Sequence, residues 1–147
     1  MQDVSAFGTR VRLVASVTFP QGFDITEFAD DADGLDVPSQ AVADTAMGIN
    51  GDLLSWSKAN PLKPTLNVIP DSDADRNLSI LLNANRPARG KLPARDEITM
   101  TVIYPNGTSN TYTRGKIVEG MPGKSVASAG RLKTQSYGFA FEDLSQN

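Results

Sequence analysis

The stretch ITMTVIYPNGTSNTYTRGKIVEG, residues 98–120, decides the fold. Ile98, Met100, Val102 and Tyr104 alternate with Thr99, Thr101 and Ile103, which gives an extended segment one apolar face. Pro105-Asn106-Gly107-Thr108 interrupts the alternation. Asn-Gly between two such runs is the strongest short-range hairpin signal in the chain, because it accepts the positive φ angles that a tight turn needs. Thr111 to Val118 returns as the partner strand. The centre of this chain is therefore antiparallel β.

Toward the N-terminus, residues 72–85 read as one helix. Asp71 or Ser72 caps the free amides, Ser72 with Asp75 approximates a capping box, and the acids suit the positive helix end. Ala74, Leu78, Leu81 and Leu82, with Ile80 slightly aside, form an apolar stripe that reads as core packing, and Pro87 stops the helix after Arg86. Farther back, RVRLVASVTF (10–19) puts Val11, Leu13, Ala15, Val17 and Phe19 on one face of a strand. Pro20-Gln21-Gly22 reads as a turn, and Phe23 and Ile25 open the second strand of a hairpin. Leu53–Ser57 and Leu62–Ile69 read as two more strands separated by Asn60-Pro61. Pro61 and Pro64 cannot donate to a ladder, so the second of these lies at an edge or begins late. Residues 29–51 read as strand ends flanking a long exposed loop, either functional or merely a surface loop. After the Gly- and Ser-rich GMPGKSVASAG (120–130), a last strand over 132–141 puts Tyr137, Phe139 and Phe141 on one face, and the chain ends soon after.

A chain of 147 residues suffices for one domain with a proper core. Net charge is −3, from 17 acids against 14 bases, which argues against a protein that grips nucleic acid by neutralising phosphates. Cysteine and histidine are absent. That removes the thiol nucleophile, the usual zinc ligands and the commonest general base, so no metal or cofactor is expected. MQDVSAFGTR lacks the basic start and apolar run of a signal peptide, and no stretch approaches the roughly 20 apolar residues of a membrane span. Synthesis and folding in a cytoplasm, without membrane insertion, are expected. The charges are segregated: residues 24–52 hold Asp24, Glu27, Asp30, Asp31, Asp33, Asp36, Asp44 and Asp52 without a base, while 86–95 hold Arg86, Arg89, Lys91 and Arg95 without an acid. Such separation implies distinct electrostatic surfaces.

The order of strand pair, acidic loop, strand pair, capped helix, Asn-Gly hairpin, crossover loop and closing strand resembles the tail tube proteins of long-tailed bacteriophages, particularly contractile ones. FADDADGLDV with GINGDLLSWSKANPLKPTLNVIPDSDADRNLSILLNA is similar to that family's luminal strand, stacking loop, next strand pair and helix. ITMTVIYPNGTSNTYTRGKIVEGMPG and KTQSYGFAFEDL are similar to its hairpin and last strand. The resemblance implies a mainly β fold, an antiparallel β-sandwich or small β-barrel flanked by one α-helix with a long extended loop, as a single domain over 1–147. It also implies hexameric rings stacked into a hollow tube that conducts the phage genome, with sheath, tape measure, baseplate and tail terminator proteins as partners in the virion tail. Bacterial secretion tubes and contractile bacteriocins share the fold.

Under that resemblance Asp24, Glu27, Asp30, Asp31, Asp33 and Asp36 are the lumen-facing candidates. A wall of carboxylates has no counterions to release onto phosphates, so DNA slides past it; the alternative is that these acids solvate an outer surface. The Asp31-Ala32-Asp33-Gly34 spacing hints at calcium, but the Glu that closes an EF-hand loop is missing. Ala41 to Asp52 is the candidate for a loop reaching the next ring, with Asp44, Met47, Gly48, Ile49, Asn50, Gly51 and Asp52 as its contact residues, expected to be mobile in isolation. Unpaired strand edges would join neighbouring subunits. Arg86, Arg89, Lys91 and Arg95 either face acids of an adjacent subunit or form a solvated loop after a helix end that welcomes positive charge.

Scattered Asp, Glu, Ser and Lys without an elbow, phosphate loop or paired-acid motif do not read as an enzyme. The rival is a carbohydrate- or protein-binding β-sandwich at a tail end. It would use Trp56, Tyr104 and Tyr112 as exposed aromatics, whereas a structural role packs at least Trp56.

Overall fold

The computed structural model describes residues 4–147. In chain order the elements are β1 (Arg10–Ala15), β2 (Phe19–Ile25), β3 (Leu35–Asp36), β4 (Ala43–Met47), β5 (Leu53–Ser57), β6 (Thr65–Val68), α1 (Asp73–Asn85), β7 (Ile98–Ile103), β8 (Ser109–Gly120), β9 (Gln135–Ala140) and β10 (Asp143–Gln146). Eight strands form one antiparallel sheet in the order β2-β1-β7-β8-β9-β6-β3, with β10 added beside β8. β4 and β5 form a separate two-stranded sheet.

The decisive hairpin forms as its sequence dictates. Ile103 pairs with Ser109, Gly107 takes φ 91°, and its amide donates to the Tyr104 carbonyl at 3.1 Å. The alternating Ile98, Met100 and Val102 are fully buried. β8 outruns the expected Thr111–Val118 because it serves both halves of the sheet. Its first part lies between β7 and β10, and its last part pairs with β9. The corner falls at Arg114, whose φ is 54°, and at Gly115, where a Cβ would collide with the Phe141 ring. The two halves close on one core, which joins Val11, Leu13 and Met100 to Leu66, Val68, Tyr137 and Phe139. A sandwich-like antiparallel fold flanked by one helix results, as expected.

The helix begins with Ser72, whose hydroxyl accepts from the Asp75 amide at 3.2 Å. The reciprocal half of the capping box is shifted by one residue: the Asp75 carboxylate accepts from the Asp71 amide at 2.9 Å. Ala74, Leu78 and Leu81 are buried and Leu82 packs against the core, as the stripe required, whereas Ile80 at its margin is exposed. Each buried leucine contributes about 1.5–3 kcal/mol, which matters because a helix this short is marginal in isolation.

Several sequence expectations are corrected. The first hairpin turns at Ser16–Thr18, not at Pro20-Gln21-Gly22. Val17 therefore leaves the apolar face for solvent, and Pro20 to Gly22 sit in β2 at a bulge where the register shifts between Leu13 and Ala15. The reason is tertiary: the Asp96 carboxylate accepts from the Val17 amide at 2.7 Å and the Thr18 amide at 2.8 Å. β5 does not pair with β6; it pairs with β4. β6 does begin late, just after Pro64, but lies inside the sheet between β9 and β3 rather than at an edge. The last strand is followed by β10, which pairs with β8 and which lacks an apolar alternation to announce it. Trp56 is not packed: it is half exposed, on a strand with no core beneath it.

Candidate assembly surfaces

The segment expected as a loop over 41–52 is in large part an arm of the β4–β5 hairpin. Ala43, Asp44, Thr45, Ala46 and Met47 pair with Ser57, Trp56, Ser55, Leu54 and Leu53. The turn is closed by the Gly48 amide on the Asp52 carbonyl at 2.7 Å and the Gly51 amide on the Gly48 carbonyl at 3.0 Å, with Gly51 at φ 87°. An Asp44–Lys58 ion pair at 2.9 Å and the Asn60 side-chain amide, donating to the Ala41 carbonyl at 2.9 Å, hold the stem.

This hairpin shows apolar groups to solvent on both faces. Cross-strand register puts Ala46, Leu54 and Trp56 on one face and Met47 with Leu53 on the other. Leu53 and Met47 are each 66% exposed, Ile49 at the tip is fully exposed, and Trp56 and Leu54 are more than half exposed. A two-stranded sheet is marginal alone in water, and its outer edges are open to pairing. Leu53, Leu54 and Trp56 were not among the expected contact residues. The signal that would have found them is Asn50-Gly51, the same dipeptide that announces the turn at 106–107.

The acidic candidates do not form one bare wall within this chain. Asp24 pairs with Arg12 at 3.2 Å, and the Glu27 carboxylate accepts from the Asp73 amide at the helix start, 3.2 Å away. Asp30 accepts from the two terminal guanidinium nitrogens of Arg131 at 3.2 and 3.4 Å, which holds its carboxyl below the usual range. Asp31 accepts from the Thr134 hydroxyl. Asp33 and Asp36 are exposed and have no ion-pair partner among the described residues. The bases come from β1 and from the crossover loop, far away in sequence. At Asp31-Ala32-Asp33-Gly34 the glycine serves packing, since a Cβ there would press on the Phe28 ring. Among the described residues no three acids gather to hold a metal.

The basic run continues from the helix end. Arg86 is the C-cap, the Lys91 ammonium donates to the Asn83 carbonyl, and Arg89 and Arg95 are exposed. None of the four has an ion-pair partner among the described residues. Beside them lies a cleft of about 360 Å³ between α1 and β8. It is lined by Leu82, Pro87, Ile117 and Val118, by Asn85, and by the two bases Arg86 and Lys116.

The two acids buried among the described residues are committed to structure. Asp75 accepts from the Tyr137 hydroxyl at 2.8 Å, and burial, with that carboxylate beside it, pushes the phenol well above its ordinary range. Asp96 accepts from Val17, Thr18 and Asn85. Of the rival's aromatics, Tyr112 is buried and Tyr104 packs against the core, leaving Trp56. No helix among the described residues is long and apolar enough to cross a membrane.

The family model described as tail fiber protein gp32 matches residues 2–145. The chain belongs to the tail fiber protein gp32 family. Membership makes it a phage-tail-related protein; the description that this family carries is tail fiber, not tail tube. No curated protein matches the chain in sequence. Solved structures share the fold of this gp32-family chain. A chain of the anti-feeding prophage tube-terminating cap superimposes with TM-score 0.61 at 12% identity, covering 100% of this chain and 92% of that one. A chain in the PVC sheath/tube terminator gives 0.57 at 10% identity, with 100% and 98% covered. A chain in the anti-feeding prophage baseplate gives 0.56 at 12% identity, with 100% and 97% covered.

Proposed function

We propose that this gp32-family chain is a structural, ring-forming subunit of a phage tail, joining copies of itself into hexamers that stack as the inner tube or close its end. The observation that carries this reading is the β4–β5 hairpin, which holds apolar side chains out on both faces with no core of its own. Exposed apolar patches of this kind mark association surfaces. The fold shared with chains of contractile injection systems supports the same reading, and the occurrence of cap, terminator and baseplate structures among them favours a place at the tube end. In such a ring Asp33 and Asp36, which have no ion-pair partner among the described residues, are the acids best suited to face passing DNA. Sheath, baseplate or terminator proteins are the partners that this position implies.

The test is electron microscopy and sedimentation of the purified protein across a concentration series, with Leu54→Ser/Trp56→Ser alongside. Rings or stacked rings from the native chain, and a folded monomer from the double variant, are expected. A native chain that stays monomeric throughout, or a double variant that assembles normally, overturns the reading.

A further inference from the structure

We propose that the tip of the β4–β5 hairpin of one copy seats in the cleft between the C-terminal end of α1 and β8 of the next copy. This rests on the self-assembly reading above and names its contact. The tip presents Met47, Ile49 and Leu53 to solvent together with Asp52, whose carboxylate has no ion-pair partner among the described residues. The cleft offers the complement: apolar lining that includes half-exposed Val118, and two bases, Arg86 and Lys116, equally without ion-pair partners, with no acid among the described residues that line it.

Charge selects this cleft over others on the surface. The larger one beside the β8 corner, about 750 Å³, is lined by Asp96, Glu97 and Glu142 as well as by bases, and its Arg114 is already paired with Glu142 at 3.5 Å. The cleft beside β3, about 670 Å³, carries Asp33 and no base among the described residues that line it, so Asp52 would meet a like charge there. Opposite charge around an apolar contact sets which surfaces meet and in what register. With copies joined head to tail, each giving its tip to one neighbour and its cleft to the other, the contact is heterologous. Such contacts propagate from copy to copy into a ring or a stack, instead of stopping at a two-fold dimer.

The chain has no cysteine, which makes cross-linking a clean test. In the full-length protein, Ile49→Cys/Val118→Cys is assembled and oxidised. A non-reducing ladder of dimers and higher multiples is expected, and each single-cysteine variant stops at dimer or below. Asp52→Lys and Lys116→Asp should each weaken assembly by about fivefold, the scale of an exposed ion pair, and their combination should restore it. Normal rings without a cross-linked ladder overturn this seat while leaving self-assembly standing; a native chain that never assembles overturns both. Should the cysteines themselves block assembly, the charge exchange decides, and additive loss in the combined variant overturns the seat.

Discussion

Asp96 joins a turn and a helix end that are distant in sequence. It is 4% exposed and accepts from the Val17 and Thr18 amides, the Thr18 hydroxyl and the Asn85 side-chain amide, so it fixes the β1–β2 turn against the end of α1. Burial alone would raise its pKa, but the hydrogen bonds from Thr18, Asn85 and Val17 outweigh burial and hold it below the ordinary carboxylate range. A folded pKa below the unfolded value of about 3.9 means that the stabilisation is complete above that pH and is lost as pH falls through the folded value. Asp96→Asn should therefore cost about 2–3 kcal/mol near neutrality. The gap between native and variant urea midpoints should close below about pH 4. A gap that stays constant into acid would show that the charge is not what matters. None of this was legible in the sequence, because the donors at 17 and 18 stand 79 and 78 residues away. The Ser72 cap, whose partner is three residues on, was legible for the opposite reason.

At the scale of elements, β8 shows how one strand comes to serve two halves of a sheet. Gly115 sits where β8 passes from β7 toward β9, against the Phe141 ring, and only the lack of a side chain lets the two meet. Gly115→Ala should destabilise the fold by about 1–3 kcal/mol through overpacking. Gly123→Ala, in open space on the crossover loop, should change the thermal midpoint little. Equal effects of the two would remove the corner from this account. The elements that the sequence predicted well are those with strict periodicity and strong stop signals: β7, its return, α1 and the face of Tyr137, Phe139 and Phe141. The β4–β5 hairpin was half seen. Its residues have hairpin chemistry at Asn50-Gly51 but no alternation between core and solvent, since both faces are wet.

For the whole molecule, charge is redistributed by folding. Arg12, Arg131 and Lys58 pair with Asp24, Asp30 and Asp44, so the segment that is purely acidic in sequence keeps only part of its negative surface. If Asp33 and Asp36 face a conduit, replacing both by Lys should leave rings intact under the microscope and slow genome delivery in an infection assay. A duplex would then meet cations able to release its counterions. Normal delivery by the double variant would remove these acids from the lumen. The assembly contact at the hairpin should also weaken in part, but not vanish, toward 1 M salt, where the screening length falls to about 3 Å. Its charges are screened while its apolar lining is not.

Composition and local pattern by themselves determined that this chain is a β-rich domain with one capped helix, a central Asn-Gly hairpin and segregated charge. Those features depend on neighbours a few residues apart, where periodicity, turn chemistry and capping act. Only the tertiary structure decided that β5 turns back onto β4 instead of joining the core, that Trp56 lies in solvent, and which acids gain an ion-pair partner. Those outcomes depend on contacts between groups tens of residues apart, and no local preference encodes which distant group arrives.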